Sequence, residues 1–582
     1  MSVDLYEELS KERKAGQGTG TIPDWMSTAS WQMFKQKYLY EANNPREQFE
    51  RIAKTAAKHA PRGVCSANGE YATDLLKAVT FEKYWENKFL DVLWKGYVAC
   101  STPVLANMGT NRGCPVSCAG SVVDDSIEGF YDAYREIAIL TKQGFGTATD
   151  LSGIRKRGSP ISVGGKASGV LPVIKHFVQD MRDVAQGTSR RGAWAGYLDI
   201  QHGDFWEVVQ YLEEQPDDLN IGWILTDKFI AKLQKGSKEA TKRYQRALKA
   251  KMIFGKGYFF FIDKVNRQRP EMYVDKGLKV AASQLCSEIF LHSSIDYTYT
   301  CVLAWMNLAK ADEWKDTDAV FVATVFLDCV VSEFLEQAKN IRGMEKAVAS
   351  TEKGRAIGLG AGGFHTYLQA HGMEFGGMPA HLFNGSIFKH IDEESLKASK
   401  WLATELGEPE WCKGYGLRFT HGMAVAPTKS TALIYGGISE GINPDIAMSF
   451  TQLTAAGEVD RVNPTLLALI KSKGLDAEKC IADTVQSQGS VQHVTWLDDE
   501  EKKVFKTAFE INQRDILRLA ATRQRYIDQG QSTNLFFAGN ADEKLISEIH
   551  QEAFENENIL SLYYVYSSRG VVSSSSECAS CM

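Results

Sequence analysis

The sequence predicts an α/β fold behind a helical N-terminal layer, and two textures carry that expectation. Residues 1–95 are rich in charge and place Tyr84, Trp85, Phe89, Leu90, Leu93 and Trp94 at helical spacing, which gives a helix one apolar face. From about 96 to 530, short apolar runs alternate with glycine-rich turns and long amphipathic stretches, the pattern of strands joined by helices. With 582 residues, 44% hydrophobic and 24% charged, the chain is long enough to bury a large core around such a sheet.

Ile127, Phe130, Tyr131, Tyr134, Ile137 and Leu140 recur at steps of three and four, so 126–142 reads as a helix with one buried face, ended by Gly144 and Gly146. The glycine-rich loop 158–165 leads into an apolar helix from about Leu171, and the stretch 189–196 opens a strand at Tyr197 to Ile200. Glycine in these places lets backbone approach a ligand or another strand closely. Lys242, Arg243 and Arg246 fall on a helical pattern as a solvated face. Alanines and apolar residues with Glu333 and Glu336 make 318–341 a long helix. After about 540 come a short helix, an aromatic strand over 562–566 and a serine tail whose lack of apolar side chains predicts disorder.

Composition excludes several function classes. The N-terminus lacks the basic and apolar regions of a secretory signal, and the longest apolar stretch, Ala319 to Leu327, stops at Asp328, so a cytoplasmic protein is expected. A net charge of −6 argues against nucleic-acid binding as the main activity. Eleven cysteines without secretion imply thiols rather than staples. Cys65, Cys100, Cys329, Cys412 and Cys480 read as buried structural thiols. No internal Cys-x-x-Cys meets a second pair or a His pair, so no metal site is expected.

The residues with chemistry to offer are few. Cys578 and Cys581 close the chain, and a dithiol on a tail adds nothing to a core; its use is to carry electrons to a disulfide elsewhere in the molecule. In Ser283-Gln284-Leu285-Cys286-Ser287-Glu288 an extended backbone would point Gln284, Cys286 and Glu288 to one face, giving an amide, a thiol and a carboxylate a shared pocket. An amphipathic strand with a chance cysteine is the plain alternative. Pro427-Thr428-Lys429-Ser430-Thr431, followed by Gly436-Gly437, offers hydroxyls and backbone N–H groups suited to an anion, and is equally an ordinary proline-led helix start.

Taken in order, Ser101-Thr102-Pro103, Ser117-Cys118, Gln284-Leu285-Cys286-Ser287-Glu288, the segment from Cys301 to Leu308 and the final Cys578/Cys581 pair resemble the catalytic α subunit of ribonucleotide reductases, across about 100 to 582. The resemblance implies a ten-stranded α/β barrel of two five-stranded halves with a central finger loop. Its expected divisions are a helical region 1–95, the barrel 96–535, a C-terminal helix and strand 536–570 and a flexible redox tail 571–582.

The same resemblance assigns roles. Cys286 would be the thiyl radical that takes the ribose 3′ hydrogen, and Glu288 the base on the 3′ hydroxyl. Cys118 and Cys301 would face the 2′ side and be oxidised to a disulfide, which the tail re-reduces before thioredoxin or glutaredoxin resets it. Cys114 reads as structural. Thr102, Ser117 and the turn holding Thr428, Lys429, Ser430 and Thr431 would bind substrate, most simply a ribonucleoside diphosphate, with a triphosphate as the alternative. Asp125, Ser126, Arg155 and Lys166 stand where the family binds a dNTP or ATP effector at a homodimer interface, solvated surface groups being the alternative; a loop at about 213–220 would pass that signal on.

Tyr563-Tyr564 matches the tyrosine pair through which class I enzymes connect to a separate metal-containing β subunit, so no cofactor is expected in this chain. An adenosylcobalamin-dependent class II enzyme and a non-catalytic nucleotide-binding regulator on the same fold are the rival readings. Three departures stand out. Gln284 replaces the usual Asn, Lys429 sits where some members carry Glu, and the family's N-terminal ATP-cone has no counterpart, so control of overall activity through it is not expected.

Overall fold

Among the described residues four helices build the N-terminal layer: Val3–Thr19, Thr28–Lys37, Pro45–Ala57 and Phe81–Trp94. Two of them start for legible reasons. Asn44 caps the third through a bond from the Glu47 N–H with Pro45 in its first turn, and Thr80 caps the fourth through Lys83 N–H, each cap satisfying a donor that the helix leaves orphaned. The fourth buries Trp85, Phe89 and Leu93, as their spacing predicts. The computed structural model describes residues 3–62, 80–162, 164–186, 190–454 and 457–568.

This layer rests on the helix Ala319–Ala338, which is buried around most of its circumference. His59 reaches Glu333 at 2.8 Å and Lys88 reaches Asp318 at 2.6 Å across the junction. Asp328, fully buried in the same helix, is matched by Arg355 at 2.8 Å and Arg418 at 3.2 Å; without those partners its charge would be prohibitive there. Among the described residues no helix is long and apolar enough to cross a membrane.

The main sheet comprises β1 (Val98–Cys100), β2 (Cys118–Val122), β3 (Gly146–Asp150), β4 (Trp194–Asp199), β5 (Ile221–Leu225), β6 (Tyr258–Phe261), β7 (Tyr299–Asn307), β8 (Ile357–Gly362) and β9 (Ser561–Leu562). Strands β2 through β6 are neighbours in sequence order and all parallel, with helices between them covering the outside. Buried on both faces, they read as nearly continuous apolar runs such as Tyr258-Phe-Phe-Phe261. The long β7 lies antiparallel to β2 and β1 and parallel to β8.

Pairing then continues around a ring. Leu359 of β8 bridges Met423, Val425 bridges Gln531, Tyr563 N–H donates to Thr533 O at 2.9 Å, and β9 pairs antiparallel with β6. The result is an α/β barrel with five parallel strands in one half. The other half differs in detail from the expected ten full strands: among the described residues the sheet has nine, and at 423–425 and 531 the wall is held by single bridges.

Two local expectations need correction. The aromatic strand over 562–566 is interrupted: β9 ends at Leu562 and a second short strand, Val565–Ser567, pairs with Leu535–Phe537, leaving Tyr563 and Tyr564 at the break. The helix Ile127–Lys142 forms where its period predicts, and Tyr134, Ile137 and Leu140 are buried. Its first turns are not; Ile127 is 67% and Tyr131 64% exposed. The apolar stripe runs past the edge of the chain's own core.

Candidate active site

Cys118 opens β2 and Cys301 lies in β7, and the two are register partners across that antiparallel pair. Cross-strand partners bring Cα atoms to about 4.5–5.5 Å, inside the roughly 4.4–6.8 Å that a disulfide spans. Both side chains are buried. Burial pushes the Cys301 thiol far up, and the nearby Cys118 and Glu288 add to the shift, so Cys301 holds its proton.

Cys286 sits on a loop that enters the barrel between β6 and β7. The extended geometry that would align Gln284, Cys286 and Glu288 by alternation is not what the loop adopts: Ser287 has φ of 67° and residues 285–287 form a turn. Gln284 and Glu288 are still brought together, by a different device. The Gln284 Oε1 accepts from the N–H groups of Glu288 (3.1 Å) and Ile289 (3.2 Å) and from Ser283 Oγ (3.0 Å), so the amide folds the loop back on itself. Tyr197 donates to Gln284 O at 2.6 Å, Gly530 N–H to Glu288 O at 2.8 Å, and Ser561 Oγ to Ser287 O at 2.8 Å. Ser532 Oγ lies 2.6 Å from Cys286 O and 2.8 Å from Glu288 Oε2.

Two apolar clusters meet at this loop. Cys286 belongs with Tyr197, Tyr258, Phe260, Phe290, Tyr563 and Tyr564; Cys118 and Cys301 belong with Ile289, Leu291, Tyr299 and Leu303. The Tyr563 and Tyr564 rings lie 4.1 Å apart between centroids, tilted by 51° to one another. Tyr258 of β6 lies 4.9 Å from the Tyr563 ring, and its hydroxyl lies 3.4 Å from that of Tyr564. Beneath them the fully buried Lys251 donates to Tyr563 O, and burial brings its ammonium down to about 7.

Three buried side-chain atoms of the segments that carry these thiols have no partner among the described residues: Ser117 Oγ, Gln284 Nε2 and Tyr299 OH. An unsatisfied buried polar atom is costly, and the Tyr299 hydroxyl is one that lies within electrostatic reach of Glu288 and the two paired thiols. Two thiols in register can yield two electrons and close a disulfide, a carboxylate beside them can take a proton, and an enclosed third thiol can carry a reactive state away from water.

The remaining expected residues are placed as follows. Thr102 is half-buried with its hydroxyl 3.2 Å from Tyr38 OH. In the 427–431 turn, Thr428 adopts φ of 56° ahead of the short helix Lys429–Ile434. Its Oγ1 accepts from Gly441 N–H at 2.8 Å. Thr431 Oγ1 accepts from Trp305 Nε1 at 3.1 Å, so that hydroxyl anchors the turn to β7, while Ser430 is buried and Lys429 half-buried. Arg155 Nε binds Asp125 Oδ2 at 2.6 Å, and Ser126 caps the helix Ile127–Lys142 through Gly129 N–H; these three gather at one helix start, while Lys166 is exposed on the adjoining hairpin. Cys100, Cys114, Cys329, Cys412 and Cys480 are buried. Cys65, Cys578 and Cys581 lie outside the described residues.

Side chains that sequence reading did not single out also line the site, namely Tyr197, Tyr258, Tyr299 and Ser532. Tyr299 carried a usable signal, since it stands two residues before Cys301 and strand alternation puts both on one face. Ser532 had none, because only the closure of the barrel brings it to the loop.

A family model of the ribonucleotide reductase barrel domain matches residues 116–243, 232–414 and 409–565, and one of the ribonucleotide reductase all-alpha domain matches 25–113. The chain belongs to the ribonucleotide reductase family. It is 35% identical over 530 residues to a ribonucleoside-diphosphate reductase large subunit of Frog virus 3 (isolate Goorha), covering 86% of this chain and 92% of that protein. The Actinobacillus ureae class Id ribonucleotide reductase alpha subunit superposes with a TM-score of 0.84 at 35% identity, covering 96% of this chain and 99% of that one. A vitamin B12-dependent ribonucleoside-diphosphate reductase of Thermoplasma acidophilum is 28% identical over 507 residues, 81% of this chain and 64% of that protein. The protein is thus a ribonucleotide reductase large subunit, with the all-α layer and the barrel in the family's order, and it reduces ribonucleotides.

Proposed function

We propose that this reductase is a class I α subunit acting on ribonucleoside diphosphates through a thiyl radical at Cys286. The observation that carries the reading is the register pairing of Cys118 with Cys301 beneath a loop that presents Cys286 and Glu288. Cys286, as the thiyl, removes the ribose 3′ hydrogen while Glu288 takes the 3′-hydroxyl proton. The 2′ hydroxyl gains a proton and leaves as water. Cys118 and Cys301 supply two electrons as they close a disulfide, and Cys286 returns hydrogen to C3′. One ribonucleotide and one dithiol become one deoxyribonucleotide, one disulfide and water.

Cys578 and Cys581 re-reduce that disulfide by thiol exchange and are reset by thioredoxin or glutaredoxin. The adjacent Tyr563 and Tyr564 rings, packed with Cys286 in one cluster, form the relay toward a separate metal-containing β subunit, and the chain itself carries no cofactor. Thr102, Ser117 and the 428–431 turn hold substrate. Asp125, Ser126, Arg155 and Lys166 hold a nucleotide effector, and the exposed Ile127 and Tyr131 beside them form a homodimer face. The match to the class Id structure over almost the whole chain favours class I over the cobalamin-dependent reading.

The deciding experiment assays diphosphate reduction by the purified chain with a candidate β subunit and, separately, with adenosylcobalamin alone. Turnover only with β supports the proposal; turnover with the cobalamin alone overturns the class assignment.

A further inference from the structure

Tyr299 is paired in register with Gly120, two residues along each strand from the Cys301–Cys118 pair. Side chains two apart in a strand share a face, so the phenol stands on the dithiol's side of the sheet. Its ring lies flat across Gly120: a Cβ at that position would come within 2.1 Å of Tyr299 Cζ and 2.3 Å of its hydroxyl. Glycine at 120 is therefore what admits the ring.

The hydroxyl is fully enclosed and has no partner among the described residues. Its apolar surroundings are Ile289, Leu291, Leu303 and Ala424. The polar groups that act on it are Tyr197, Cys118, Cys301 and Glu288. Burial holds the phenol proton firmly, so the group is a hydrogen-bond donor. Tyr197 is already committed to the loop through Gln284 O. A buried donor beside two thiols and a carboxylate, with no acceptor among the described residues, is built for something that arrives.

We propose that Tyr299 is a further substrate-contacting residue, its hydroxyl donating to the ribose 2′ oxygen beside Cys118 and Cys301. This rests on the reading that those thiols face the 2′ side. The bond forms in the ribonucleotide and has no acceptor in the 2′-deoxy product, so Tyr299 favours binding of substrate over product and steadies the oxygen that leaves. A site built to bond a substrate oxygen discriminates against the analogue that lacks it.

The test is equilibrium binding of a ribonucleoside diphosphate and of its 2′-deoxy counterpart to the full chain, wild type and Tyr299→Phe. The variant keeps the ring over Gly120 and removes only the oxygen. The expected result is roughly tenfold weaker binding of the ribonucleotide with deoxynucleotide affinity within about twofold of wild type. Unchanged affinity for both ligands, or an equal loss for both, overturns the proposal. Should Tyr299→Phe fail to fold, 3-fluorotyrosine placed at 299 gives a second readout. The ribonucleotide should move its fluorine resonance and the deoxynucleotide should leave it in place; identical responses count against the contact. The thiyl reading is separated by Cys286→Ser, which should abolish deoxynucleotide formation. If Cys286→Ser remains active, that reading fails; if it is inactive while Tyr299→Phe binds as wild type does, only the Tyr299 contact fails.

Discussion

Cys118 and Cys301 face one another across β2 and β7 in a single register step, which makes the dithiol a property of the sheet rather than of two loops. Its geometry is therefore held by the ladder on both sides. Cys301→Ser should lower deoxynucleotide formation by roughly a thousandfold without a large change in unfolding temperature, as judged by steady-state assay and calorimetry. Near-normal turnover of the variant would show that the paired thiols are not the electron source.

Gln284 does for the loop what its neighbours cannot, accepting from both Glu288 and Ile289 N–H. Gln284→Asn retracts the amide by one methylene and should break at least one of these bonds. The expected cost is about 1–2 kcal/mol of stability together with a fall in kcat, measured by denaturant unfolding and steady-state assay. A variant as stable and active as wild type would mean the loop finds its shape without this amide.

Ser532 shares one hydroxyl between Cys286 O and Glu288 Oε2. Ser532→Ala should leave Glu288 differently oriented, lowering kcat by about tenfold while KM changes little. An equal effect on both parameters would place Ser532 in substrate binding instead.

Lys251 supplies a pH dependence. Its ammonium lies at about 7 in the folded chain against an ordinary 10.5 because it is buried. Between those values the unfolded chain binds the extra proton, so this residue makes stability rise with pH from 7 to 10.5, and below 7 the buried charge is carried at full cost. Lys251→Met should flatten that rise by on the order of 3 kcal/mol in urea titrations across pH 7 to 10. Parallel curves for the two proteins would contradict the assignment.

Ile127 and Tyr131, exposed beside Asp125 and Ser126, form the proposed dimer face. Tyr131→Asp should prevent effector-dependent dimerisation in sedimentation experiments while leaving basal turnover in place. Dimerisation equal to wild type would remove this face from the interface.

Much of this was legible in the sequence, for reasons that differ by element. Parallel strands buried on both faces wrote themselves as apolar runs, and the helix 127–142 as a period of three and four. What alternation could not supply was the shape of the Cys286 loop, because a left-handed Ser287 and a side-chain amide replace the strand that the period would need. The pairing of Cys118 with Cys301 depends on β7 crossing beside β2, a contact between segments about 180 residues apart. Ser532 and Tyr258 reach the site only once the barrel closes, and no local pattern announces them. The exposed half of the 127–142 stripe was readable as apolar; that it faces outward was not.

In the proposed mechanism the cross-strand dithiol furnishes the two electrons. In the Cys578→Ser, Cys581→Ser variant, supplied with a β subunit and a thioredoxin donor, product should stop at about one deoxynucleotide per active site, with peptides carrying Cys118 and Cys301 joined by a disulfide on mass mapping. Sustained turnover, or product formed with both thiols still unmodified, would contradict the account.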